Sequence, residues 1–241
     1  MNPVKSIPNT ITSMNLLCGV LGVIFTMEGR VDVAFPLMLG AAVADFLDGF
    51  SARLLNAYSD IGKDLDSLAD LVSFGVLPSL MLYQTMRACT FSESFWCYVP
   101  LVISVFSALR LAKFNNDELQ HESFLGLPTP ACAMICGALS YFIAFDQGTF
   151  LAAWAAGYLF IPLLAVILSA LLVSRVPMFS MKFSKEHKAD QVTFRKRIAF
   201  IVNVLIIVAI AATLGLNWSL VVLLSFVVYT LMNAVFALLR I

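Results

Sequence analysis

Charge is what this chain has least of. Only 12% of its 241 residues are Asp, Glu, Lys or Arg, and 61% are hydrophobic. A typical soluble domain carries about 25% charged residues and roughly 45–50% apolar ones. A soluble globule could not hide so much apolar surface, so the class is integral membrane protein. Histidine is nearly missing, with two in the chain. Cysteine numbers five (Cys18, Cys89, Cys97, Cys132 and Cys136), an odd count with no CxxC pair and no nearby histidine. That excludes the usual thiol or imidazole metal centres, and apolar packing is the reading for all five. Before the first apolar run there is one cation, Lys5, and no small-residue cleavage site follows. The run is therefore expected to stay as a membrane helix. No internal repeat or low-complexity segment stands out.

What the chain does have is long apolar runs. A helix needs about 20 residues to cross the hydrocarbon. Eight predicted spans fit, roughly Ile11–Met27, Val33–Leu54, Leu65–Met86, Cys97–Lys113, Pro128–Phe145, Phe150–Val173, Arg197–Leu214 and Trp218–Leu239. Connections are short, so residues 1–241 read as a single bundle with a short cytoplasmic segment over 1–10. Lys and Arg set the orientation. The stretch 174–197 carries Arg175, Lys182, Lys185, Lys188, Arg195, Lys196 and Arg197 and is placed in the cytoplasm. Alternation puts Lys5, Arg53, Lys63, Arg110, Lys113 and Arg240 on the same side, with Arg30 and Arg87 opposite. Both termini are then inside. The basic stretch reads as a topology signal resting on anionic lipid. His121 and His187 fall in cytoplasmic loops as solvated side chains. Prolines 36, 78, 100 and 162 lie within predicted spans, where neighbouring helices can satisfy the freed carbonyls.

Against that background, six of the fifteen acidic residues fall between Asp45 and Asp70. Carboxylates at membrane depth mark a functional site by default. Asp45 and Asp48 are three apart near the end of the second span. Asp66 and Asp70 are four apart at the start of the third. Each spacing puts its pair on one helix face, and the connecting loop turns the helices so that the faces can meet. Four converging carboxylates repel, and divalent cations relieve the repulsion. All-oxygen ligands suit Mg²⁺, Mn²⁺ or Ca²⁺, and two ions about 4 Å apart form a clamp for phosphoryl displacement. Gly49, Ala52 and Gly62 are small, leaving room for a ligand near the backbone. Arg53 adds a cation suited to phosphate or to holding a carboxylate.

The string Asp45-x2-Asp48-Gly49-x2-Ala52-Arg53-x8-Gly62-x3-Asp66-x3-Asp70 resembles the full signature of the CDP-alcohol phosphatidyltransferases. That resemblance implies an all-α bundle with a polar cavity open to the cytoplasm, in the inner membrane of the cell, and a homodimer. It implies Mg²⁺ or Mn²⁺, two ions, held by Asp45, Asp48, Asp66 and Asp70, gripping the pyrophosphate of a CDP-linked lipid. The nucleotide is expected over Gly49, Ala52 and Gly62 with Arg53 beside it. Asp70 is the expected base that deprotonates the acceptor hydroxyl, and CMP leaves. A base suits this chemistry, because an unactivated hydroxyl is a poor nucleophile.

Further stretches narrow the acceptor. Ile7-Pro8-Asn9-Thr10-Ile11-Thr12 with Asn15-Leu16 and Cys18-Gly19, Arg110-Leu111-Ala112-Lys113-Phe114-Asn115, Phe124-Leu125-Gly126-Leu127-Pro128-Thr129-Pro130 and Met178-Phe179-Ser180-Met181-Lys182 resemble the phosphatidylserine synthase branch of that family. The implied reaction is phosphatidyl transfer from CDP-diacylglycerol to L-serine within membrane lipid. Arg110 and Lys113, three apart on one face, suit the carboxylate of serine or the phosphate of the lipid, and Asn115 could add a neutral hydrogen bond. The alternatives are glycerol 3-phosphate, an inositol phosphate or choline as acceptor. A divalent cation transporter is the reading outside the enzyme class. It would place carboxylates on broken helices near midplane, with paired repeats.

Overall fold

The computed structural model describes residues 3–57, 59–90, 94–116, 124–179 and 191–239. His121, His187 and the loop cations Lys182, Lys185 and Lys188 lie outside them. The described residues are almost entirely helical. In order it forms α1 (Pro3–Met27), α2 (Val31–Leu54), α3 (Asp60–Asp70), a π-helical turn (Leu71–Val76) and α4 (Leu77–Thr90). A 3₁₀ turn (Phe95–Leu101), α5 (Val102–Asn116), β1 (Phe124–Leu125), α6 (Thr129–Phe145), α7 (Phe150–Ala155) and α8 (Phe160–Val173) follow. β2 (Pro177–Met178), α9 (Gln191–Leu214) and α10 (Trp218–Leu239) complete it. Among the described residues, six helices are long and apolar enough to cross a membrane; Thr129–Phe145 and Phe160–Val173 are apolar but shorter.

Three differences from the sequence expectation have physical causes. The first helix begins at Pro3 rather than near Ile11. Its polar residues bond back to their own helix, as Thr10 does to Ser6, Thr12 to Pro8 and Ser13 to Asn9, so 3–10 is helix rather than a tail. The expected sixth span, Phe150–Val173, is broken between Ala155 and Phe160, giving a six-residue and a fourteen-residue helix. The amide of Gly157 closes a turn onto Trp154 there. The third span runs without a gap from Asp60 to Thr90 but widens between Leu71 and Val76. Pro78 has no N–H to give the Phe74 carbonyl, and the Leu77 amide reaches back five residues to Val72. A π-turn absorbs this mismatch without ending the helix.

The core is built around α6, whose side chains are nearly all buried. Phe35 of α2 stacks on Trp218 of α10 at 5.4 Å between ring centroids. Gly137 of α6 has no side chain where Phe35 and Met38 pack. Cys132 and Cys136 are buried in this packing, as the composition suggested. α1 lies along α2 and against α3, so it braces both helices that carry the carboxylates.

At the same end as those carboxylates, two loops are stapled together. Phe124 pairs with Met178 and Leu125 with Pro177 in a short antiparallel clip. The next residue, Gly126, has φ +79° and sits where a Cβ would meet the Leu172 carbonyl at 2.6 Å, so only glycine fits. The clip is fixed to α10, because the Phe179 amide donates to Asn233 Oδ1 and the Tyr229 hydroxyl donates to the Phe179 carbonyl, each at 3.0 Å.

Candidate functional site

α2 delivers Asp45 and Asp48 near its C-terminal end, and α3 delivers Asp66. One carboxylate oxygen from each of the three lies within 4.8 Å of the others. Asp48 is buried and the other two are half-buried. Asp70, one turn further along α3, shares the field of all three. The four carboxylates expected from the spacing thus form one electrostatic group, and three of them form a compact oxygen cluster. Carboxylates alone, with no thiol or imidazole among them, are hard donors that fit Mg²⁺ or Mn²⁺.

Local sequence sets this geometry. Ser59 caps α3, accepting from the Gly62 amide at 3.1 Å, so the helix starts in a fixed phase one turn before Asp66. A Cβ on Gly62 would lie 2.9 Å from Asn9 Oδ1 and from Ser59 Oγ. The space at Gly62 is therefore taken by α1 and by the cap. A Cβ on Gly49, which is exposed, would meet nothing within 4 Å. Ala52 is half-buried one turn on, and Arg53 is exposed in the last turn of α2.

A cavity of about 420 Å³ lies at the same end of the bundle, lined by residues including Arg110, Lys113, Asn116, Ser174 and Arg175. Arg110 connects it to the cluster. Its guanidinium is buried, donates from Nη1 to Thr129 Oγ1 at 3.3 Å, and lies within the field of Asp70. Among the described residues, three cations and no acidic side chain line this cavity, which suits a small anion. Asn115 takes another part: its side-chain amide donates to Ser67 Oγ at 2.8 Å and its carbonyl accepts from Lys63 Nζ at 3.2 Å. It ties α5 to α3, and Asn116 rather than Asn115 lines the cavity.

Sequence reasoning passed over Arg175 as one more topology cation. Asn15 of α1, named there only as part of the opening stretch, donates to Asp70 Oδ1 at 3.3 Å. The available signal for Asn15 was a polar side chain inside an apolar span. No local signal marks Arg175, because its place depends on the clip between two distant loops.

The profile of the family described as CDP-alcohol phosphatidyltransferase matches residues 5–163, which takes in the carboxylate cluster, Arg110 and Thr129. Among curated proteins, the chain is 37% identical over 183 residues to a CDP-diacylglycerol–serine O-phosphatidyltransferase of Mycobacterium leprae (strain TN), covering 73% of this chain and 58% of that protein. A protein of the same name in Bacillus subtilis (strain 168) is 37% identical over 135 residues, 56% of this chain and 75% of that one. Another, in Methanocaldococcus jannaschii, is 29% identical over 171 residues, 71% of this chain and 72% of that one. The chain spans about three fifths of the length of the mycobacterial relatives it matches.

Proposed function

Because the chain belongs to the CDP-alcohol phosphatidyltransferase family, a group of membrane enzymes consistent with its six long apolar helices, we propose that it transfers a phosphatidyl group from CDP-diacylglycerol to the hydroxyl of L-serine, releasing CMP. The observation that carries this reading is the pairing of two features at one end of the bundle. An all-oxygen cluster from α2 and α3 lies beside a cation-lined cavity, with Arg110 in the field of Asp70 and on the cavity wall. The names of the curated relatives agree with it.

Asp45, Asp48, Asp66 and Asp70 would hold the divalent metal, two ions in our reading. A dication bound there supplies positive charge against the pyrophosphate and offsets the negative charge that develops on the leaving CMP. The open side of Gly49, with Ala52 next to it, takes the nucleotide, and Arg53 stands beside the phosphates. Serine enters the cavity with its carboxylate toward Arg110, Lys113 and Arg175. Asp70 accepts the proton from its hydroxyl as that oxygen attacks the lipid-side phosphorus. Bond formation to serine oxygen and loss of the bond to CMP then complete the exchange.

The site end is taken as cytoplasmic. Arg30 and Arg87 both sit at the far ends of the helices that carry the carboxylates, which supports that orientation under the positive-inside rule. An inner-membrane location and a homodimer belong to the same proposal. The test is CMP release by the purified protein from CDP-diacylglycerol, with serine, glycerol 3-phosphate, an inositol phosphate and choline offered separately. Release with serine, and phosphatidylserine as product, is expected. No release with serine but release with another acceptor rejects serine.

A further inference from the structure

Asn15 lies in the apolar run of α1 and is fully buried. Its Nδ2 donates to Asp70 Oδ1 at 3.3 Å. The carboxylate fixes which way the amide faces, since the reverse would set oxygen against oxygen. The amide's own Oδ1 is buried and accepts no hydrogen bond among the described residues. A buried polar group left half-satisfied costs free energy that an apolar side chain of the same shape would not. An apolar side chain at Asn15 would also take this donor away from Asp70 Oδ1, so the residue's tie to Asp70 is what sets it apart. The backbone at Asn15 is held as well. Ser73 Oγ donates to the Asn15 carbonyl at 3.1 Å, and Ser73 belongs to the π-turn that begins one residue after Asp70. One helical turn beyond Asn15, Gly19 keeps the approach open, because a Cβ there would overlap Ser73 Oγ. α1 thus grips the Asp70 segment twice, through a side chain and through its backbone.

We propose that Asn15 is a positioning residue for Asp70, holding Oδ1 so that Oδ2 is the oxygen presented to the acceptor hydroxyl. The proposal rests on Asp70 as the base, and it holds for any acceptor alcohol. Its signature is in turnover rather than in binding: a carboxylate that rotates between settings is productive in only one of them.

The experiment compares Asn15→Ala and Asn15→Asp in the purified full chain in detergent. It reads kcat, the KM for CDP-diacylglycerol and the KM for serine. Asn15→Ala is expected to lower kcat about ten- to a hundredfold, the scale of a misplaced catalytic group, with the KM for CDP-diacylglycerol within about twofold. Asn15→Asp keeps the shape but replaces the donor with a second carboxylate, so it should lose more activity than Asn15→Ala. A packing role predicts the opposite order. An Asn15→Asp enzyme as active as the parent overturns the proposal, and so does a loss confined to the KM for CDP-diacylglycerol. If Asn15→Ala does not fold, Asn15→Leu, of similar volume, replaces it in the same comparison. A further arm separates this proposal from the reading of Asp70. Adding Asn15→Ala to Asp70→Asn should cost little beyond the single Asp70 change, because the two act as one unit. Multiplying losses would mean that Asn15 acts apart from Asp70, and an active Asp70→Asn enzyme would by itself remove Asp70 as the base.

Discussion

Replacing Asp66 by Asn should make the metal-free protein more stable while removing its activity. Oxygens of Asp45, Asp48 and Asp66 lie within 4.8 Å of one another. At that separation and an effective dielectric of about 20, each like-charged pair repels by about 3.5 kcal/mol. Asp66 takes part in two such pairs. Asp45 and Asp66 are only half-buried, and solvent screening brings the net relief down to on the order of 1 kcal/mol. For a chain of this size that is roughly 2–4 °C in Tm. The assay is thermal unfolding of the purified protein in detergent, with EDTA and with Mn²⁺ or Mg²⁺. With EDTA, Asp66→Asn should unfold at a higher temperature than the parent. With Mn²⁺ the order should reverse, because the parent gains stability from binding and the variant loses a ligand. A variant that is less stable in EDTA would refute the reasoning, since the carboxylate would then be a structural partner instead of one of several ligands held together against their own repulsion.

Other expectations are narrower. Asp70→Asn should suppress CMP release far more than it weakens CDP binding, as read by kcat beside a binding titration; substantial turnover would remove Asp70 as the base. Arg110→Ala should raise the KM for serine or abolish turnover with expression unchanged, and Arg110→Lys should rescue poorly, because a point charge cannot replace the planar fork. Normal serine kinetics in Arg110→Ala would end that role. Gly49→Ala should raise Tm, since alanine is better in a helix by up to about 1 kcal/mol and its Cβ meets nothing. The same change should raise the KM for CDP-diacylglycerol severalfold by entering the nucleotide's space, and an unchanged KM would place the nucleotide elsewhere.

Much of this site was legible because it is local. Asp45 and Asp48 share a helix turn, Asp66 and Asp70 share another, and helical spacing alone aligns each pair. The apolar runs were equally plain, since hydropathy reports composition directly. What stayed hidden depends on contacts far apart in the chain. The break after Ala155 lies inside an apolar stretch that composition cannot divide. The π-turn after Asp70 follows from Pro78, whose effect falls several residues upstream. Gly62 reads as room for a ligand until Asn9, 53 residues earlier, is found beside it. Arg175 joins Arg110 at the cavity only through the pairing of β1 with β2. The hydrogen bond from the Asn115 side chain to Ser67, 48 residues earlier, is of the same long-range kind.

The central claim is that aspartates from α2 and α3 share divalent metal that holds the activated lipid for attack. The most direct measurement is CMP release from CDP-diacylglycerol and serine by purified protein stripped with chelator, followed by stepwise return of Mn²⁺ or Mg²⁺. The account predicts no release after stripping, full recovery with metal in the parent, and recovery shifted to much higher metal concentration in Asp66→Asn. Equal rates with and without divalent metal, or the same metal dependence in the parent and in Asp66→Asn, would contradict it.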